Sequence, residues 1–157
     1  MSVEARARSK SETLTRVMLL VFRVNGQLLT SGDRLVADLG LTSARWQMLG
    51  AIAMEEPPRT APRLAARMGV TRQAAQKQLN LMLDEGLVAT QPNPGHLRSP
   101  SYVLTRRGTS VYEAALRRER SWSSRLARDI PLDDLETTER LLATLELKLR
   151  LPDEGVP

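Results

Sequence analysis

The sequence predicts a mainly α-helical fold with a small β element of two or three strands. Three observations carry that expectation. Apolar residues recur at intervals of three and four along most of the chain. Two short helical patterns meet at a glycine-containing turn within residues 60–85. Between residues 87 and 104, two β-prone runs flank a tip rich in proline, asparagine and glycine. At 157 residues the chain can build a real core, and a single domain over 1–157 is expected.

Residues 1–9 read as a frayed basic end. From about 10 to 38, Leu14, Val17, Met18, Val21, Leu28 and Leu29 recur at helical spacing, with Phe22 and Val24 beside them. Gly26 and Gly32 are where this helix would kink or break. Gly40 is suited to end it in a left-handed conformation. The apolar band is broader than a small domain covers by itself, which points to a partner helix. Thr42 or Ser43 then caps a helix running to Met54, with Trp46, Leu49, Ile52 and Ala53 on its inner face. Glu55-Glu56-Pro57-Pro58 stops it, because proline cannot continue a helix and constrains the residue before it.

Residues 60–88, TAPRLAARMGVTRQAAQKQLNLMLDEGLV, hold the two short patterns. Thr60 is placed to cap the first, and Pro62 falls in its first turn, where a missing N–H does no harm. Leu64 and Met68 share a face, small Ala65 permits close approach, and Gly69 ends the helix at little cost. Thr71 can cap the second helix, whose Ala75, Leu79, Met82 and Leu83 make an apolar stripe. The other side carries Arg72, Gln73, Gln76, Lys77 and Asn80, with no carboxylate before Asp84. A generic solvated face mixes both signs of charge. This one suits a DNA major groove, where Arg or Lys donates to guanine O6 and N7 and Gln or Asn pairs with adenine N6 and N7. The stretch reads as a helix-turn-helix with residues 71–85 as recognition helix. An ordinary helical hairpin with a polar surface has the same spacing.

Gly86 closes that helix. Leu87-Val88-Ala89-Thr90 and Tyr102-Val103-Leu104 read as strands, and residues 91–100 between them as a turn or loop. The pair forms a β-hairpin, the wing of a winged helix, with Arg98 near its tip. Two strands are not stable alone, so the hairpin must lean on the helices. Thr105 caps a helix to about 129, with Val111, Ala115, Leu116, Trp122 and Leu126 on its apolar side. Its basic residues are Arg106, Arg107, Arg117, Arg118, Arg120 and Arg125. Ile130-Pro131 breaks it. A last helix over about 132–150 carries a stripe of Leu135, Leu141, Leu142, Leu145 and Leu149. Both terminal layers read as dimerisation helices, 10–38 and 105–150, around a lobe over 42–104. Packing of the terminal helices within one chain is the alternative.

Composition narrows the partner. A net charge of +5 and a pI of about 10.4 favour a polyanion, nucleic acid before a membrane surface. Arginine outnumbers lysine, which favours bidentate contacts to phosphate and bases. Aromatics are 3% of the chain, too few for single-strand recognition by base stacking. The chain has no cysteine, so disulfides, thiol redox sensing and a Cys-ligated metal are excluded. His96 is the one histidine, which rules out a multi-His metal site. There is no Ser/His/Asp set, no glycine-rich phosphate loop and no metal-ligand spacing, so neither an enzyme, a cofactor nor a metal is expected. The apolar run Val17–Phe22 is too short to span a bilayer, and the first 13 residues are polar and charged, so no membrane and a cytoplasmic location are expected.

The order of these elements resembles the MarR family (multiple antibiotic resistance regulators) over about residues 12–150. The stretches that carry the resemblance are LGLTSARWQMLGAIA, then LAARMGVTRQAAQKQLNLMLDEGLV, then VLTRRG after the wing. The family's wing usually carries Asp-x-Arg ahead of that Leu-Thr. Here Arg98 stands at the Arg position and His96 at the Asp position. The resemblance implies that Arg98 enters a minor groove, which attracts guanidinium when narrow. Without the carboxylate that would hold it, a phosphate contact is the other reading, and His96 adds a pH-dependent phosphate contact or is a plain loop residue.

The resemblance further implies a homodimeric repressor or activator, modulated by a small molecule in a cleft near Arg45, Trp46 and Trp122. Core filling is the alternative for both tryptophans. The expected function is a sequence-specific, double-stranded DNA-binding transcriptional regulator, a homodimeric repressor on a pseudo-palindromic operator. Thr71, Arg72, Gln73, Gln76 and Lys77 would face bases or phosphates. Thr60, Arg63 and Arg67, and Arg106 and Arg107 after the wing, would contact the backbone. The alternative is a winged-helix protein–protein interaction module without specific DNA binding.

Overall fold

The computed structural model describes residues 9–93 and 99–150. The chain divides into two compact units, Met1–Arg118 and Glu119–Pro157.

The first unit opens with α1, Lys10–Val36. Ser9 is not frayed but is the N-cap: its hydroxyl accepts from the Glu12 N–H at 3.1 Å, and the Glu12 carboxylate accepts from the Ser9 N–H at 3.0 Å. The helix runs through Gly26 and Gly32 without a break. Gly32 serves close approach instead. A Cβ there would overlap the Ser43 side chain, which donates to the Leu29 carbonyl at 2.7 Å, while the Ser43 N–H donates to Asp33 Oδ1 at 2.6 Å. A 3₁₀ turn, Ala37–Leu39, follows, and Gly40 ends it at φ 72° in the left-handed region.

Thr42, rather than Ser43, caps α2 (Ser43–Ala53) by accepting from the Arg45 N–H. The inner face of α2 differs from expectation. Met48, Leu49, Ala51 and Ile52 are buried, Trp46 is half-buried and Ala53 is exposed. A helix covered from several sides buries more than one stripe.

Next come β1 (Arg59–Thr60), α3 (Ala61–Met68) and α4 (Arg72–Asp84). Thr60 stands at the N-cap of α3, but its side chain makes no cap bond, because its backbone is paired in a sheet. Gly69 and Gly86 take φ of 64° and 68° and end α3 and the turn after α4. Thr71 caps α4, accepting from the Ala74 N–H at 3.1 Å.

The wing consists of β2 (Val88–Gln91) and β3 (Ser101–Leu104), with β1 added on the far side of β3 to give an antiparallel order β1-β3-β2. Leu87 precedes the strand and donates its N–H to the Met82 carbonyl at 2.9 Å. The register pairs Thr90 with Tyr102 and Arg59 with Tyr102 on opposite edges of β3. The sheet leans on the helices as a small sheet must, burying Val88, Ser101 and Tyr102. The core joins α2, α3, α4 and the sheet through Met48, Leu49, Leu64, Leu79, Met82 and Val88.

Then α5 (Arg106–Leu126) starts under Thr105, whose hydroxyl accepts from the Gly108 N–H at 3.0 Å and donates to the Gly86 carbonyl at 2.7 Å. It ends at Leu126, short of the expected 129. The Ile130 N–H turns back to the Ala127 carbonyl at 3.1 Å, a tightened final turn that closes the helix before Pro131. The second unit holds the end of α5 and α6 (Leu132–Arg150). Asp133 and Asp134 lie in the first turn of α6 and Lys148 and Arg150 in its last, each favourable to the helix dipole.

Two helices carry large apolar side chains exposed to solvent: Leu19, Leu20, Phe22 and Leu28 on α1, and Leu141, Leu142, Leu147 and Leu149 on α6. Among the described residues, no helix is long and apolar enough to cross a membrane.

Candidate nucleic-acid interface

The helix-turn-helix presents α4 because its other side is spent on packing. Ala75, Leu79 and Met82 are buried, which leaves Arg72, Gln73, Gln76, Lys77 and Asn80 facing solvent. Gln73, Gln76, Lys77 and Asn80 line an open groove of about 440 Å³ along the helix. Two of them are already engaged. Gln76 Nε2 donates to Asn80 Oδ1 at 2.8 Å and to the Tyr102 hydroxyl oxygen at 3.1 Å. The expected outward-facing Gln76 is therefore exposed but held from behind by the wing.

A second cleft, about 560 Å³, opens where α3, α4 and the wing meet. Arg59, Thr60, Arg63 and Arg72 line it, with Asn93 and Ser99 from the wing side. Among the described residues, Arg59, Arg63 and Arg72 and no carboxylate border this space, so its field favours an anion. Thr60, Arg63 and Arg72, expected at the interface from the sequence, come together here. Thr71 keeps its hydroxyl on the α4 cap. Arg106 and Arg107 are exposed at the start of α5. Arg98 and His96 lie outside the described residues.

Arg59 at the interface, and Tyr102 behind it as the residue that holds Gln76, went unnoticed in the sequence. Arg59 belongs to a two-residue strand with no alternation to read, and Tyr102 looks like any buried strand aromatic. Arg67, expected on the DNA backbone, is paired with Glu55 at 2.9 Å. Glu55 also takes the Arg59 guanidinium at 2.7 Å. The hydrogen bond from Arg59 is the largest effect on the Glu55 carboxyl. With the charges of Arg59 and Arg67 and the Arg67 hydrogen bond it holds the carboxyl below its ordinary value, although burial, second in size, opposes them. Glu55 thus fixes two cations at the end of α2, one bordering the arginine cleft and one at the end of α3.

The residues expected to hold an effector divide. Arg45 pairs with Glu85 at the end of α4, linking α2 to the recognition helix. Trp46 is half-buried against the core cluster. Trp122 belongs to the second unit. Among the described residues, no group of His, Cys, Asp and Glu could hold a metal ion.

Known proteins share this arrangement. A family model described as MarR family matches residues 39–99, from the end of the 3₁₀ turn before α2 to just short of β3. Rv2011c, an uncharacterized protein of Mycobacterium tuberculosis, is 34% identical over 140 residues, covering 89% of this chain and 96% of its own length. Among solved structures, the MarR family transcription regulator SP03579 superposes with a TM-score of 0.77 at 22% identity, over 93% of this chain and 97% of that one. A mutant MarR from E. coli complexed with operator DNA gives a TM-score of 0.75 at 21% identity, over 88% of this chain and 99% of that one. At those identities the structures speak for the fold, while the family model covers the helix-turn-helix itself. The chain belongs to the MarR family of winged helix-turn-helix transcription regulators.

Proposed function

We propose that this regulator binds double-stranded DNA sequence-specifically as a homodimeric repressor, with α4 in the major groove. The observation that carries the reading is the exposed face of α4: Arg72, Gln73, Gln76, Lys77 and Asn80, without a carboxylate until Asp84. The arginine cleft beside it supports phosphate contacts from Arg59, Arg63 and Thr60 as α4 enters the groove. Arg106 and Arg107 extend that contact along the DNA backbone, and Arg98 reaches the minor groove from the wing.

Residues 10–38 and 105–150 act as dimerisation helices around a DNA-binding lobe over 42–104. The apolar surfaces of α1 and α6 support this reading, because exposed apolar area of that extent calls for a covering partner. A two-fold dimer then sets two recognition helices on a pseudo-palindromic operator, roughly one helical turn apart. A small molecule shifts the spacing of those helices through its differential affinity for two states, with Arg45 and Trp46 of the first unit as its contacts. The location is the cytoplasm, where DNA is reached directly.

The test is fluorescence anisotropy of the purified protein on duplexes from its own upstream region and on a scrambled duplex, at two salt concentrations. The proposal expects binding at least about a thousandfold tighter to one upstream duplex than to the scrambled one. It also expects a steep salt dependence from phosphate contacts. Absence of binding to any duplex at low salt would instead favour a winged-helix module that binds protein.

A further inference from the structure

Every polar hydrogen of the Gln76 side chain is committed. Its two amide hydrogens go to Asn80 Oδ1 at 2.8 Å and to the Tyr102 hydroxyl oxygen at 3.1 Å. Tyr102 lies on the central strand of the wing and is buried, at 4% exposure, so its hydroxyl is fixed from behind the recognition helix. Gln76 and Asn80 are both exposed and line the same groove along α4. With its donors used, Gln76 offers the groove only Oε1, an acceptor, and Asn80 offers its Nδ2, a donor.

We infer that Tyr102 is a positioning residue that sets the base preference of Gln76, through the Tyr102 hydroxyl bond that turns Gln76 Oε1 toward the major groove. This inference rests on the DNA-binding reading above and deepens it. An acceptor reads exocyclic amino groups, which the major groove presents on cytosine (N4) and adenine (N6). Gln76 in this state accepts both. The familiar bidentate pairing of glutamine with adenine N6 and N7 needs one free amide hydrogen, which Tyr102 withholds. Removing the hydroxyl returns that hydrogen and turns a two-base preference into an adenine preference. The Tyr102 ring remains to fill the core, so the effect reaches the DNA through Gln76 alone.

The experiment is selection of bound duplexes from a random-centre DNA library by wild type, Gln76→Ala, Tyr102→Phe and Asn80→Ala. Binding of each variant to a fixed non-cognate duplex is measured alongside. Gln76→Ala identifies the position that Gln76 reads, as the one base pair per half-site whose preference flattens. At that position the wild type is expected to select cytosine and adenine on one and the same strand, so that C·G and A·T pairs appear in a single orientation. Tyr102→Phe is expected to raise adenine over cytosine there by roughly fivefold or more, the low end of a bidentate base contact. Its affinity for the non-cognate duplex should stay unchanged.

Asn80→Ala frees the other amide hydrogen and is expected to move the same position in the same direction. It keeps the inference testable should Tyr102→Phe unfold, which would appear as weaker binding to every duplex. A single base pair selected at that position by the wild type, or C·G and A·T pairs selected in mixed orientation, or the same base preference in wild type, Tyr102→Phe and Asn80→Ala, overturns the inference. So does a Gln76→Ala variant that flattens no position. A wild type that enriches no sequence at all overturns the DNA-binding reading itself, and this inference with it.

Discussion

Glu55 holds two guanidinium groups from neighbouring elements, and its carboxyl is more acidic for it. The stability that follows has a defined sign. A carboxyl held below its ordinary value of 4.5 contributes fully above that value, and the contribution disappears as pH falls through the lowered one. Glu55→Gln is therefore expected to lower the urea unfolding midpoint at about pH 7. The gap from wild type should narrow as pH falls through that lowered value, where the wild-type carboxyl also becomes neutral. A gap that stays the same size down to the acid unfolding limit would mean that Glu55 acts through its shape and not its charge.

Sequence reading at this scale succeeds where the partner is near in the chain. The cap by Thr71 and the left-handed glycines at 40, 69 and 86 depend on residues within a turn. Pairs set by tertiary packing gave no such signal. Asp33 reaches the N-terminus of α2 ten residues on, and Arg45 meets Glu85 forty residues on. Nothing local marks either one.

At the scale of elements, the recognition helix, the wing and α5 meet in a closely packed junction. The Thr105 N–H donates to the Leu87 carbonyl at 3.1 Å, and Thr105 also caps α5. Gly108, one turn into α5, lies against that same carbonyl, so a Cβ there would overlap the Leu87 oxygen. The neighbouring atom is backbone and cannot rotate away. Gly108→Ala is expected to cost at least about 1–3 kcal/mol of stability, the range for forced overpacking, despite the higher helix propensity of alanine. Urea denaturation measures it; a neutral or stabilising effect would show that α5 can slide off the wing at no cost.

The sequence placed each long helix to within about three residues at its ends because period and caps agree. It missed β1, since Arg59–Thr60 is too short for alternation and pairs with a strand some forty residues later. It also extended α5 past Leu126, where no glycine or proline marks the stop until Pro131.

For the whole molecule, the exposed apolar rows of α1 and α6 carry the proposal of a dimer. Phe22 is 73% exposed and Leu149 81%, values that a covered face would not leave. The sequence revealed this surplus as an apolar band too broad for one domain, because amphipathic width is a local property. The position of a second copy is not, since it depends on shape over both chains. The central claim, that paired α4 helices read one DNA site, is tested most directly by dimethyl-sulfate interference on the tightest upstream duplex. Methylation at guanine N7 blocks contacts in the major groove only. The account predicts two clusters of interfering guanines on one face of the duplex, about 10 base pairs apart and related by two-fold symmetry. A single cluster, or tight binding indifferent to N7 methylation, would contradict it.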